Sequence, residues 1–585
     1  MKVLSFSPPG RFPTVVTDPG RWWSVVAATG AQITQFSANA AWWQVLCSPA
    51  VQQLIEEQMS PGRRWLSRLQ HCFTARDLRQ SGIQAGRALH RLCQVESYES
   101  AESYFSAVAP LADHLFSLNR TQGEIRFSLQ GAVVNKLNYA SSAALAEYAS
   151  KPTFLWALIA RALQDFPAGI GFAAVRVTSA EDLLCAMIAV RLMRKREPGM
   201  HICLADHGYE NFSLHPHLER LSATGALTEV FDTIIARKQE VDRVLPRLIE
   251  MVAEGRGPKG LVSANDFVAA EVHPASALPV PPPMPAFTPE PIFWTRLSAR
   301  ACYWSRCTFC VQNAKHGEAT APMQAEIAET LERLERLKVA GYKTFIFSDE
   351  ALSPALLKHF CRGLLERGLE LTWACRCKLE LGHTPELFRL MREAGCYEVL
   401  FGLESISPRT QRLMGKFVAG LDEARIREIM RTASEAGLGI HINLIGGFPG
   451  DTAQELAASV DFLAAALATA RNATFLLNEF ALFSDSPILR DAESFGLTPI
   501  VGEGDMPTQY SYRVRPELCG EASRVQQLIP VFRRQLNLRL GWSRWRQTPG
   551  VIAALHLYFV SGHGAIFKSQ PYNAFSNPLH DANGG

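Results

Sequence analysis

Ala301-Cys302-Tyr303-Trp304-Ser305-Arg306-Cys307-Thr308-Phe309-Cys310 follows directly on Trp294–Arg300, a short run that reads as a β-strand. Three thiols within nine residues, on a loop at a strand's end, can converge on one metal centre without help from distant chain. A cubane has four irons, so three cysteine ligands leave one iron open to a small molecule. The same thiols can also be read as a structural zinc site, which wants four ligands. His316 is then the candidate fourth ligand, because Cys361, Cys375, Cys377 and Cys396 fall on helix or strand patterns rather than in a second paired knuckle.

Working outward from this loop, apolar strand patterns recur at Thr344–Phe347, Leu371–Cys375, Glu398–Gly402, Gly439–Ile445 and Thr474–Leu482. Helical patterns separate them: Met323–Ala340, Pro354–Arg367, Pro385–Ala394, Leu421–Ala436 and Ala453–Ala468. Regular alternation of this kind predicts a partial parallel (β/α)6 barrel over 292–515, with its chemistry at the carboxyl ends of the strands. Upstream, residues 266–291 are crowded with proline, which fixes φ and removes backbone donors, and this stretch is read as an interdomain linker. Before it, Lys2–Ser7, Gly169–Val177, His201–Ala205 and Val230–Ala236 alternate with helices Ser179–Arg196 and Val241–Glu254. That pattern predicts a Rossmann-like α/β layer over 1–265, with a helical insert at about 40–150. Residues 516–585 are read as a separate, small helical C-terminal region carrying Trp542, Trp545, Tyr558 and Phe559.

The cysteine run resembles the cluster loop of radical S-adenosylmethionine (SAM) enzymes, in the variant with an aromatic pair after the first cysteine; here the spacing is four and then two residues. The resemblance runs in order from about Phe293 to Leu497. It implies that Cys302, Cys307 and Cys310 ligate a [4Fe–4S] cluster, that SAM chelates the fourth iron, and that Phe309 belongs to the cofactor-binding loop. Ser348-Asp349-Glu350 looks like the segment that receives the SAM amino group, and Arg376 is placed to clamp the SAM carboxylate. Gly402, Glu404 and Ser405 resemble the fourth-strand segment that approaches ribose or methionine. Gly446 and Gly447 resemble the glycine turn beside the adenine, with Asp451 or Thr452 capping the next helix.

An α/β layer ahead of such a barrel resembles the cobalamin-dependent subclass. Pro8 and Pro9, after the first strand, then stand where the corrin would lie against the sheet edge. No lower-axial histidine is expected after that strand. Leu204-Ala205-Asp206-His207 and Ala236-Arg237-Lys238-Gln239-Glu240 replace the glycine-rich turns usual there.

Composition sets bounds on all of this. The 585 residues are 47% hydrophobic and 20% charged, with 59 Lys+Arg against 56 Asp+Glu and a formal net charge of +3. No basic run interleaved with aromatics suggests nucleic acid, and no apolar run suggests a membrane span. Thirteen cysteines without a signal-like N-terminus read as reduced thiols or metal ligands of a cytoplasmic protein. The expected partners are a small-molecule or peptide substrate and an electron donor such as flavodoxin or ferredoxin. The expected reaction is cobalamin-dependent C-methylation. The alternatives are a radical SAM rearrangement, ring change or epimerisation without cobalamin, and a metal-stabilised binding module.

Overall fold

The computed structural model describes residues 1–9, 16–17, 31–58, 74–98, 101–128, 131–177, 179–206, 214–223, 225, 227–235, 238–266, 287–298, 302–311, 323–468, 473–500, 502, 504–515 and 521–539. In chain order the strands are β1 (Lys2–Phe6), β2 (Val16–Thr17), β3 (Gln32–Phe36), β4 (Ile125–Ser128), β5 (Gly131–Val134), β6 (Ile170–Val177), β7 (His201–Asp206), β8 (Thr233–Ile235) and β9 (Gly260–Leu261). They continue as β10 (Ile292–Thr295), β11 (Thr344–Phe347), β12 (Thr372–Lys378), β13 (Cys396–Glu404), β14 (Gly439–Gly446), β15 (Ala473–Glu479), β16 (Leu482–Phe483), β17 (Leu497–Ile500) and β18 (Gln509–Val514).

Two parallel sheets carry the architecture, as α/β alternation requires. The first has the order β3-β1-β6-β7-β8-β9, so its strand order reverses between β1 and β6. In open α/β sheets such a switch point is where loops diverge and leave a crevice. Helix Ala180–Arg196 covers this sheet; its start is fixed by Ser179, whose hydroxyl accepts from Asp182 N at 3.2 Å. The insert expected at about 40–150 is mainly helical, but it also contains the antiparallel hairpin β4–β5.

The second sheet runs β15-β14-β13-β12-β11-β10-β2, with neighbours parallel throughout, and forms the half-barrel. Its last lane is a finding the sequence did not announce: Val16–Thr17, from the N-terminal segment, pairs with Phe293 and Trp294. β10 begins earlier and ends earlier than its apolar pattern suggests. The cause is Asp349, whose carboxylate takes the backbone donors of Leu297 (2.7 Å) and Ser298 (2.9 Å) away from any ladder.

On the helix side of the barrel sheet, Phe347, Phe360, Trp373, Phe388 and Phe401 fill a continuous apolar core. Burial of this size is the main stabilising term for such a layer. Helix Ala522–Arg539, in the region read as separate, sends Val525, Ile529 and Leu536 into that same core. Between barrel and tail, β16, β17 and β18 form a small antiparallel sheet. Beside it, Asp505 reaches the N-terminal layer: its carboxylate accepts from Ser142 N at 2.8 Å and from Ser142 Oγ at 2.5 Å. No helix among the described residues is long and apolar enough to cross a membrane. The linker at 266–291 lies mostly outside the described residues, as do Trp542, Trp545, Tyr558 and Phe559.

Candidate active site

The cysteine loop lies on the carboxyl edge of the half-barrel. Cys302 pairs as an isolated parallel bridge with Ala351, and Leu352 pairs likewise with Cys377. Loop, β11 exit and β12 therefore lie side by side, at roughly 4.8 Å per lane. Ser305 turns the loop with a left-handed φ of 48° and donates its hydroxyl to Cys302 O at 2.7 Å. The turn Leu413–Gly415 braces it from outside: Trp304 Nε1 donates to Gly415 O (2.8 Å), Thr308 Oγ1 to Leu413 O (3.0 Å) and Thr308 N to Met414 O (3.1 Å). Gly415 is required here. Its φ is +70°, and a Cβ would lie 2.2 Å from Arg306 O.

Cys302 and Cys310 are half-buried and Cys307 is buried. Burial pushes the Cys307 thiol up to about 11, while Lys416 and Lys378 pull it the other way. Among the described residues no three His, Cys, Asp or Glu side chains gather closely enough for a single ion. Tetrahedral zinc, with Zn–S near 2.3 Å, needs its sulfurs roughly 3.8 Å apart. A cubane, with one iron per cysteine, asks for wider spacing, and a nine-residue loop whose Cys307 feels both Lys378 and Lys416, with Cys302 on the side of the first and Cys310 on the side of the second, suits an anionic cluster. His316 lies outside the described residues.

The neighbouring strand ends divide the expected cofactor contacts. Ser348 is buried and donates to Thr295 O at 3.1 Å, and Asp349 is fully buried on Leu297, Ser298 N and Ser298 Oγ (2.6 Å). Both therefore hold β10 in place. Burial lifts the Asp349 carboxyl to about 6 despite these donors. The following helix is capped by Ser353, whose hydroxyl accepts from Leu356 N. Glu350 is the member of the trio left at the rim. It pairs with Arg376 at 3.2 Å, and the Arg376 guanidinium lies 5.7 Å from the Trp294 ring centre. Cys375 and Cys377, with sulfurs 3.9 Å apart, face the helix-side core.

Register places Lys378, Gly402 and Asn443 in one row across β12, β13 and β14, with Arg376, Leu400 and His441 in the row below. At the end of β13, Glu404 takes a left-handed φ of 64° and pairs with Lys416 at 2.9 Å, both side chains being about a tenth exposed (9% and 10%). Lys416 also donates to Gly402 O at 2.8 Å. A Cβ on Gly402 would come within 2.6 Å of Glu404 Oε1 and 2.7 Å of Lys416 Nζ. Burial pulls Lys416 down, but Glu404, Cys307 and Cys310 outweigh it and raise its proton affinity. Ser405 is buried and accepts from Ser407 N at 3.1 Å.

Gly446 is small because of Leu456 and Ile529, which a Cβ would meet at 2.9 and 3.1 Å. Gly447, with φ +73°, donates its N–H to Asp451 at 3.2 Å. Thr452, rather than Asp451, caps helix Ala453–Ala468, through Glu455 N at 3.2 Å. Phe309 packs edge-on to Phe448 at 6.4 Å. Pro8 and Pro9 are buried on the other sheet. Pro9, Ser179 and Asp182 line a cavity of about 490 Å³ beside its switch point, roofed by Val133 and Met506. His207, Ala236 and Arg237 lie outside the described residues.

The site also contains residues that sequence reasoning passed over. Lys378 ends β12 two residues after Arg376, and Lys416 follows Gly415; the two-residue spacing that puts Lys378 on the same strand face as Arg376 was the available signal. The Tyr303 hydroxyl donates to Glu380, which ties the loop to the exit of β12.

The chain is similar to several known proteins. Residues 299–463 match the model of the Radical SAM superfamily. An uncharacterized methyltransferase of Pyrococcus horikoshii is 24% identical over 243 residues, 38% of this chain and 51% of that protein. The ribosomal protein uS12 methylthiotransferase RimO of Salmonella heidelberg is 25% identical over 343 residues, 54% of this chain and 71% of RimO. The chain thus spans about half the length of the first of these relatives. Among solved structures, the radical SAM methyltransferase TsrM from Kitasatospora setae, with cobalamin and a [4Fe-4S] cluster bound, aligns with TM-score 0.43 and 14% identity. That alignment covers 68% of this chain and 81% of TsrM. The cobalamin-dependent SAM radical enzyme OxsB, with aqua-cobalamin and SAM bound, aligns with TM-score 0.45 and 16% identity over 68% of this chain and 65% of OxsB.

Proposed function

We propose that this chain, a radical SAM protein by the domain at residues 299–463, is an enzyme that cleaves SAM reductively at a [4Fe–4S] cluster on Cys302, Cys307 and Cys310. The observation that carries the reading is the placement of the three-cysteine loop beside the Glu350–Arg376 pair on one sheet edge. When bound, the cluster and SAM supply a 5′-deoxyadenosyl radical, a reaction needing the low end of iron–sulfur potentials, down to roughly −700 mV.

The chain's own residues do the rest. Glu350 and Arg376 offer opposite charges to a zwitterionic amino-acid group, an ammonium for the carboxylate and a carboxylate for the guanidinium. The Lys416–Glu404 pair holds the end of β13 rigid against the loop. Gly402, with no side chain, leaves the room that the Glu404 and Lys416 side chains fill over that row. Walls of Arg376, His441 and Asn443 give the lumen polar groups for a small-molecule or peptide substrate, and the electron comes from an external donor of the ferredoxin or flavodoxin kind.

The finer reading is cobalamin-dependent C-methylation. It is supported by the first sheet, whose order reverses between β1 and β6, and by the cavity that Pro9 and Ser179 line there. Bound at that edge, the corrin would supply the methyl group. The test is anaerobic: reconstitute with iron and sulfide, add hydroxocobalamin, desalt, and record the visible spectrum. A retained corrin band is expected. Iron without corrin would move the reaction to rearrangement, ring change or epimerisation.

A further inference from the structure

Two lysines stand beside the cysteine loop, and among the described residues only one of them has an ion-pair partner. Lys416 is paired with Glu404 at 2.9 Å. Lys378, the last residue of β12, is 4% exposed, and its ammonium lies 4.0 Å from the centre of the Trp304 ring. Among the described residues its one hydrogen bond goes to Leu379 O at 3.3 Å, and no carboxylate lies within ion-pair distance of it. Glu380 acts on it from farther off, and that carboxylate is shared with the Tyr303 hydroxyl.

A buried ammonium without a counter-ion is expensive to hold, because its hydration is lost and nothing replaces it. The aromatic face recovers part of that loss. Trp304 is itself fixed through Nε1 to Gly415 O, so the cation is held in place by the cysteine loop's own brace. The missing anion lies in the same neighbourhood. Cys302 sits two lanes from β12, roughly 9–10 Å across the sheet edge, and Trp304, which the ammonium touches, is two residues further along the same loop. Cys302 and Cys307 both act on Lys378 electrostatically.

We infer that Lys378, held against Trp304 of the loop that carries Cys302 and Cys307, is a positioning residue for charge: it stabilises the reduced, more negative state of the group those thiolates bind and so raises its reduction potential. This rests on the cluster reading above. Net charge beside the sulfurs is one of the recognised determinants of such potentials. Lys416 contributes less, because Glu404 cancels most of its field.

The experiment compares wild type with Lys378→Met, Lys378→Gln and Lys378→Arg, each reconstituted anaerobically with iron and sulfide. Iron content is measured, then the midpoint potential by EPR-monitored titration without SAM. Unchanged iron in Lys378→Met and Lys378→Gln, with a midpoint shifted to more negative values, and a Lys378→Arg midpoint near wild type, are expected. Loss of iron from the neutral variants with loading restored by Lys378→Arg also supports a charge role. A midpoint unmoved in Lys378→Met overturns the inference, and so does loss of iron in all three variants, which would make the role steric. Wild type that assembles no four-iron cluster overturns the cluster reading instead.

Discussion

Replacing Lys416 with methionine would leave the Glu404 carboxylate with a missing partner at a site about 9% exposed. At the observed 2.9 Å and an effective dielectric of 20, the attraction lost is about 6 kcal/mol before desolvation is counted. Removing one member of a buried pair costs roughly 3–5 kcal/mol in practice, since the survivor keeps its desolvation penalty. Lys416 also ties down Gly402 O, so the damage falls on the end of β13. Urea unfolding of wild type, Lys416→Met, Glu404→Met and the double variant makes a double-mutant cycle. Each single change is expected to cost about 3–5 kcal/mol, and the double far less than their sum, because two apolar side chains of similar volume refill the space. Single losses under about 1 kcal/mol, the range of an exposed pair, or additive losses would refute the reasoning.

Three further outcomes follow from the geometry. Gly415→Ala should lower stability by more than about 3 kcal/mol and strip iron, while Gly420→Ala should cost only about 1 kcal/mol, the left-handed backbone cost alone. Both have φ near +70 to +78°, but only at Gly415 would the Cβ strike Arg306 O, so equal effects would count against the brace. Burial lifts the Glu398 carboxyl to about 7, and among the described residues it makes no side-chain hydrogen bond. Its folded affinity for a proton exceeds the unfolded one, so its contribution is present below about pH 4.5 and lost as pH rises to 7. Glu398→Gln should therefore gain roughly 3 kcal/mol over wild type at pH 8 and little at pH 4.5; a gain independent of pH in urea melts would contradict this. Asp505→Ala should release helix Ser142–Ser150, costing about 1–2 kcal/mol locally. Hydrogen exchange at residues 142–145 reads it, and unchanged protection would show the contact to be idle.

The barrel was legible because its elements are local and periodic. Thr344–Phe347 and Ala453–Ala468 fall where the apolar pattern puts them and most other elements shift at their ends, but the strand read at Thr474–Leu482 stops at Glu479, with Leu482 in another sheet, and helix Pro408–Leu413 was not read. What escaped the sequence depends on distant chain. β2 joins the barrel through two residues that carry no pattern of their own. Helix Ala522–Arg539 reads as a tail because its apolar face is narrow, yet Ile529 packs on Gly446. The site shows the same division. The cysteines announce themselves by spacing, and Glu350 and Arg376 by their place at strand ends. Whether Asp349 faces a ligand or the backbone of Leu297 is set by a contact 52 residues away, which no local pattern records. Lys378 and Lys416 meet at the loop only because β12 and β13 are neighbours.

The most direct test of the central claim is the metal and its reaction together. Iron, zinc and sulfide are measured in anaerobically reconstituted protein, and 5′-deoxyadenosine is measured after addition of SAM and dithionite. The same is done for the variant carrying Cys302→Ala, Cys307→Ala and Cys310→Ala. Four irons per chain with 5′-deoxyadenosine formed, and both lost in the triple variant, is the predicted result. Zinc in place of iron, or a cluster and SAM cleavage that survive removal of the three cysteines, would contradict it.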